Sequence, residues 1–100
     1  MQDLFPEDVV LVEEEEGYYC TRRLDYKLAE TGTLSTEEIV EQYKAHLGKY
    51  SYQPWQNDEP NIIEMRKVGM MDGIFLYYKC EIRYTEDTIM IYESGEAIEE

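Results

Sequence analysis

Apolar residues follow two different periods along this chain. From Ile62 to Tyr92 they alternate with polar residues; from Ile39 to Leu47 they return at helical spacing. The alternating stretch contains Asp72-Gly73, a pair suited to a two-residue type I′ turn, and Glu86-Asp87, a second turn. If Asp72 and Gly73 form the loop, Met71 faces Ile74, Gly69 faces Leu76, Lys67 faces Tyr78, Met65 faces Cys80 and Ile63 faces Ile82. The second turn sets Tyr84 against Ile89 and Ile82 against Ile91. Both registers place Ile63, Met65, Met71, Ile74, Leu76, Tyr78, Cys80, Ile82, Tyr84, Ile89 and Ile91 on one face, because successive strand residues point to opposite sides. The reading is a three-stranded meander, with Leu76 and Ile82 in its core. The opposite face is mixed. Val68, Met70, Phe75, Tyr77, Met90 and Tyr92 share it with Glu64, Arg66, Lys79, Glu81 and Arg83. Leu4 and Phe5 are the chain's candidates to cover it.

The helical stretch runs from about Thr36 to Leu47. Ser35 and Glu38 form a capping box, each satisfying an orphan backbone group at the helix start. Glu37, Glu38 and Glu41 suit the positive end, and Lys44 and His46 the negative end. Gly48 is placed to end the helix in the left-handed conformation. Ile39, Val40, Tyr43 and Leu47 form the buried stripe. Upstream, Val9–Val12 and Tyr18–Leu24 read as a hairpin turning near Glu15–Gly17, with residues 25–34 open between strand and helical turn. Residues 48–61, with Pro54 and Pro60, read as a loop carrying Tyr50, Tyr52 and Trp55. The end of the chain, from Ser94, reads as frayed.

These elements predict one α+β domain over residues 1–100. An antiparallel sheet of about five strands carries one main helix, in the order β-β-α-β-β-β. Hydrophobic residues make up 43% of the chain, which supports a core despite 32% charged residues.

Charge narrows the partners. The chain has 23 Asp and Glu against 9 Lys and Arg, a formal net charge of −14. Nucleic acid and anionic membrane both repel such a chain, so neither is an expected partner. The field attracts basic proteins instead. The N-terminal residues show no signal-peptide pattern and no apolar run reaches membrane length, so the expected location is cytoplasmic. Cys20 and Cys80 are expected as free thiols.

No catalytic, cofactor or metal constellation emerges. His46, the single histidine, has no spacing that brings a cysteine to it. One His and two Cys cannot alone complete a structural zinc site. Glu13–Glu16 lacks the alternating ligands and fixed glycine of a calcium loop.

The function expected from these features is binding, not catalysis. An acidic domain of this size is similar in composition to nucleic-acid mimics and immunity proteins. That implies an inhibitor that occludes a basic surface on a nuclease, an effector such as a CRISPR nuclease, or a toxin. The candidate contact residues are Glu13, Glu14, Glu15 and Glu16 at the first turn, with Glu86, Asp87 and Glu93 as a second cluster. The alternative is an accessory subunit or homodimer that uses an apolar sheet face around Val68, Phe75 and Tyr77.

Overall fold

In the computed structural model, Asp72 and Gly73 both take left-handed backbone, with φ of 53° and 79°. This is the type I′ geometry that their sequence favours. The structure describes residues 3–17, 21–55 and 59–97. Of Met71 and Ala97 it describes the backbone. The start of the expected second strand (Tyr18, Tyr19, Cys20), Asn57 and Asp58 of the expected loop and the terminal Glu99 and Glu100 lie outside these residues.

The first hairpin pairs β1 (Val9–Glu16) with β2 (Arg22–Leu28). Helix α1 spans Thr36–Gly48. A short strand β3 (Gln53–Trp55) follows, then β4 (Ile62–Met71), β5 (Ile74–Tyr84) and β6 (Thr88–Ala97). The sheet has six strands in the order β1-β2-β6-β5-β4-β3, and every neighbouring pair is antiparallel. Every meander pairing expected from the two turns is present, from Met71 opposite Ile74 to Ile82 opposite Ile91.

Four local expectations are corrected. The 48–61 segment contributes a strand, because β3 is an edge strand. There Pro54 can lack an N–H on the solvent side while Gln53 and Trp55 pair with Arg66 and Glu64. Glu15 and Glu16 do not turn the first hairpin. They continue β1 opposite Arg23 and Arg22, and the chain reverses after Gly17, whose N–H donates to the Thr21 carbonyl. Gly48 is the last helical residue and not the left-handed cap. That conformation falls to Ser51 at φ 71°, after Lys49 has remained right-handed. Ser94 to Ala97 are held in β6 against Leu76 to Lys79. Within the ambiguous 25–34 stretch, Asp25–Leu28 extend β2.

The core lies between α1 and one sheet face. Ile39, Val40, Tyr43 and Leu47 meet Leu24, Tyr26, Met65, Cys80, Ile82, Ile89 and Ile91. The Ser35 half of the capping box forms, with the Glu38 N–H donating to Ser35 Oγ at 3.2 Å, while the Glu38 carboxylate accepts from the Ser35 hydroxyl. A 13-residue helix is about 20 Å long, whereas the 11-residue β5 extends about 35 Å. The helix therefore covers only part of the meander. Leu76, expected in the core, is half-buried, and Ile74 is 53% exposed. Phe5 joins the helix-side core and Leu4 stays exposed, so neither covers the opposite face. His46 is half-buried on α1, its ring 6.2 Å from that of Tyr43 and 5.0 Å from that of Tyr50.

Candidate functional site

The sheet alternation divides the run Glu13–Glu16. A bulge between Leu11 and Glu13 shifts the register, so that Glu14 lies opposite buried Leu24 and Glu13 opposite Asp25. Glu14 and Glu16 thus stand on the helix side, and Glu13 and Glu15 on the open side. Arg22 and Arg23 face the end of the run across the ladder. Arg22 Nε lies 3.8 Å from Glu14 and 3.9 Å from Glu93. Glu93 is therefore beside Arg22, about 20 Å along β6 from Asp87. The expected cluster of Glu86, Asp87 and Glu93 is split: Glu86 and Asp87 stay at the sheet end, and Glu93, midway along β6, sits closer to Glu14.

Glu86 and Asp87 instead belong to a different constellation. The segments 3–8, 29–38, 59–61 and 85–87 all lie at the sheet end where β1 and β6 begin and β2 and β5 finish. Hydrogen bonds stitch them together. Asp8 O accepts from Ala29 N at 2.8 Å, and Asp8 Oδ1 from Thr33 N at 3.0 Å. Asp87 O accepts from Leu28 N at 2.9 Å, and Asn61 O from Tyr84 N at 3.1 Å. Thr36 Oγ1 donates to Thr85 O, tying the helix start to the β5–β6 turn. This frame carries Asp3, Glu7, Asp8, Glu30, Glu37, Glu38, Glu59, Glu86 and Asp87, all exposed except half-buried Asp8. The four segments contain no Lys, Arg or His. Between Glu37 and Glu86 runs a shallow groove of about 280 Å³, also lined by Ser35, Asn61 and Tyr84. The signal for this end in the sequence was present only as separate acidic turns; the hydrogen bonds that join them are long-range.

The face of the sheet away from α1 is bare. Val68 pairs with Tyr77, and Met70 with Phe75, so three expected apolar residues, Val68, Phe75 and Tyr77, do come together there. Val68, Met70 and Phe75 are more than half exposed. Beside them lies a polar and aromatic cluster that the sequence did not single out. The Arg66 guanidinium sits 4.1 Å over the Trp55 ring, and its Nη1 donates to Tyr77 Oη at 2.6 Å. Its Nη2 donates to both Glu64 oxygens, and Lys79 Nζ lies 3.0 Å from Glu64 Oε1. Burial pushes the Glu64 carboxyl up, but the hydrogen bonds from Lys79 and Arg66 outweigh it and hold it below the ordinary carboxylate value. Trp55 reaches this cluster because β3 is a strand, which the two prolines around it concealed.

Charge is unevenly divided. By register, the open face holds five of the nine Lys and Arg (Arg23, Lys27, Arg66, Lys79, Arg83) but only six of the 23 Asp and Glu. The negative excess therefore lies off this face. Among the described residues no group of three or more His, Cys, Asp or Glu is arranged to hold a metal ion, and no helix is long and apolar enough to cross a membrane. Cys80 is a buried free thiol, pushed up to about 12 by burial and then by the charge of Glu93.

No protein-family model, curated protein or solved structure matches the chain.

Proposed function

We propose that this protein is a binding module that occludes a basic surface of a partner protein, using the carboxylate-bearing end as its contact. What supports the reading is one arrangement: nine carboxylates held on four hydrogen-bonded segments, with no cationic side chain in those segments. A patch of one sign on a fixed backbone speeds encounter with the opposite sign. The groove between Glu37 and Glu86 offers a place for an Arg or Lys side chain of the partner. Such a patch imitates the charge of a nucleic-acid backbone. The partner is therefore a protein with a phosphate-binding groove, such as a nuclease, an effector or a toxin, and the role is that of an inhibitor or immunity protein. The contact residues proposed are Glu30, Glu37, Glu86 and Asp87. Glu13–Glu16 fit the role less well, because two opposed arginines partly neutralise them and the ladder splits them between faces.

The test is affinity capture from the native host with the intact protein and with a variant carrying Glu30→Lys, Glu37→Lys, Glu86→Lys and Asp87→Lys. The expected result is capture of a basic protein that weakens steeply with added salt and disappears with the variant. A captured partner that the variant retains, or binding indifferent to salt, would overturn the assignment.

A further inference from the structure

The two outer edges of the sheet differ in a way that concerns self-association. β1 is the full-length edge on one side. Four consecutive carboxylates guard its second half and a bulge breaks it at exposed Val12, two devices that stop edge strands from pairing with other chains. On the other side β3 shields β4 only at Glu64, Met65 and Arg66. From Lys67 to Met71 the outer edge of β4 has no strand partner among the described residues, and a groove of about 520 Å³ opens where β3 stops. The exposed side chains on this stretch are apolar, with Val68 at 58% and Met70 at 66%.

We infer that this edge pairs with the same edge of a second copy, antiparallel and about a two-fold axis through Gly69. The length of the free stretch sets the register, because centring it on Gly69 matches the stretch to itself. Val68 then lies opposite Met70 of the second copy, and Met70 opposite its Val68. On the open face this builds two equivalent rows, each running from Phe75 and Met70 across the axis to Val68 and Tyr77 of the second copy. Val68 and Met70, the bare apolar side chains of β4, each gain an apolar neighbour across the seam, the pairing that stabilises sheets. Gly69 lies at the centre, where a Cβ would be crowded by Tyr78, whose Cε2 would lie 3.0 Å away.

Charge selects this occupant. A chain of net charge −14 repels its own copy almost everywhere, but the 67–76 hairpin carries only Lys67 and Asp72. Two-fold pairing there sends the two acidic ends to opposite extremes, well beyond the ~8 Å over which exposed charges act at physiological salt. Growth also stops at two copies. The joined sheet ends on both sides in the guarded β1 edge, so the product is a closed dimer and not a fibre.

Sedimentation velocity over a range of protein and salt concentrations tests this with the full chain. The wild type should reach twice its 11.9 kDa mass at high concentration, and the dimer should tighten as salt screens the net charge. That salt response is opposite to the one expected for a basic partner, so the two readings fail separately. Met70→Lys and Val68→Lys change exposed side chains and should each leave a folded monomer, with circular dichroism as the check. Amide exchange across 67–71 should slow with concentration in the wild type alone. A wild type that stays monomeric, including one that pairs only with a strand of another protein, overturns the inference. So does a dimer that persists in both variants, or assembly beyond two copies.

Discussion

Ile82 and Leu76 occupy the same strand and the same face, six residues apart, yet only Ile82 is fully enclosed. Ile82→Ala should cost roughly 2–5 kcal/mol, the usual range for emptying a packed site. Leu76→Ala should cost about 1 kcal/mol, since half-burial withholds less surface from water. Urea melts of the two variants check the difference; equal losses would mean that the helix covers more of β5 than its length allows. Cys80 makes a separate prediction. Its thiol is pushed from an ordinary value of 9.0 to about 12 by burial and Glu93. The unfolded chain ionises first as pH rises, so this contribution is intact below about pH 9 and is lost between about 9 and 12. Stability should fall across that window, and Cys80→Ala should flatten the fall. Tyr52, raised to about 12 by burial and the charges around it, adds to the slope in both proteins. An unchanged alkaline slope in Cys80→Ala would contradict the burial of the thiol.

Helix α1 and the meander were readable because their signals are local. Ser35, Glu38 and the 39-40-43-47 stripe define α1 within one short window, and Asp72-Gly73 fixes ten cross-strand pairs by counting outward. Ser35→Ala should therefore destabilise by about 1 kcal/mol, the usual worth of an N-cap. A thermal melt with no shift would mean that the Thr36–Thr85 bond alone holds the helix start. What the sequence concealed depends on partners remote in the chain. Pro54 forbids a central strand but not an edge strand, and only the position of β4 makes it one. Leu76 and Ile74 share the apolar period with Ile82, and periodicity carries no information on where the helix stops. Glu15–Gly17 read as the hairpin turn because Glu13–Glu16 and Gly17 separate two β-favouring stretches; the four carboxylates continue β1 instead. They are tolerated in β1 because Arg22 and Arg23 face the run and the outer side is solvent.

The molecule measures 48 × 26 × 23 Å, and its charge is sorted along the long direction. Carboxylates gather at the end where α1 begins, and exposed apolar residues gather on the β4–β5 hairpin at the other. The candidate contact at the acidic end was half legible: Glu86 and Asp87 were visible as an acidic turn. The remaining carboxylates join them only through bonds that link residues 8 to 29, 28 to 87 and 36 to 85. Self-repulsion at this end opposes folding. Added sodium chloride should raise the melting temperature of the dilute protein, and Glu86→Lys with Asp87→Lys should reduce that salt effect. A melting temperature that falls with salt would indicate that attractive ion pairs, not repulsion, dominate.

The strand order has a consequence for how the chain is made. β2 completes its pairing only with β6, which is the last strand to be synthesised. Until then the β1–β2 hairpin waits with a naked inner edge while α1, β3, β4 and β5 emerge. A lone two-stranded hairpin is barely stable in water, so the nascent protein holds an unfinished sheet until β6 emerges. The closing step inserts β6 between two partners at once and stitches the 85–87 turn to both the helix start and the end of β2. A chain released after Glu86 should therefore lose the N-terminal hairpin as well as the meander. Proteolysis of that truncated chain should cut within residues 9–28 as readily as within 62–84. Protection of the hairpin in the truncated protein would show that β1 and β2 fold without the strand that divides them from the rest of the sheet.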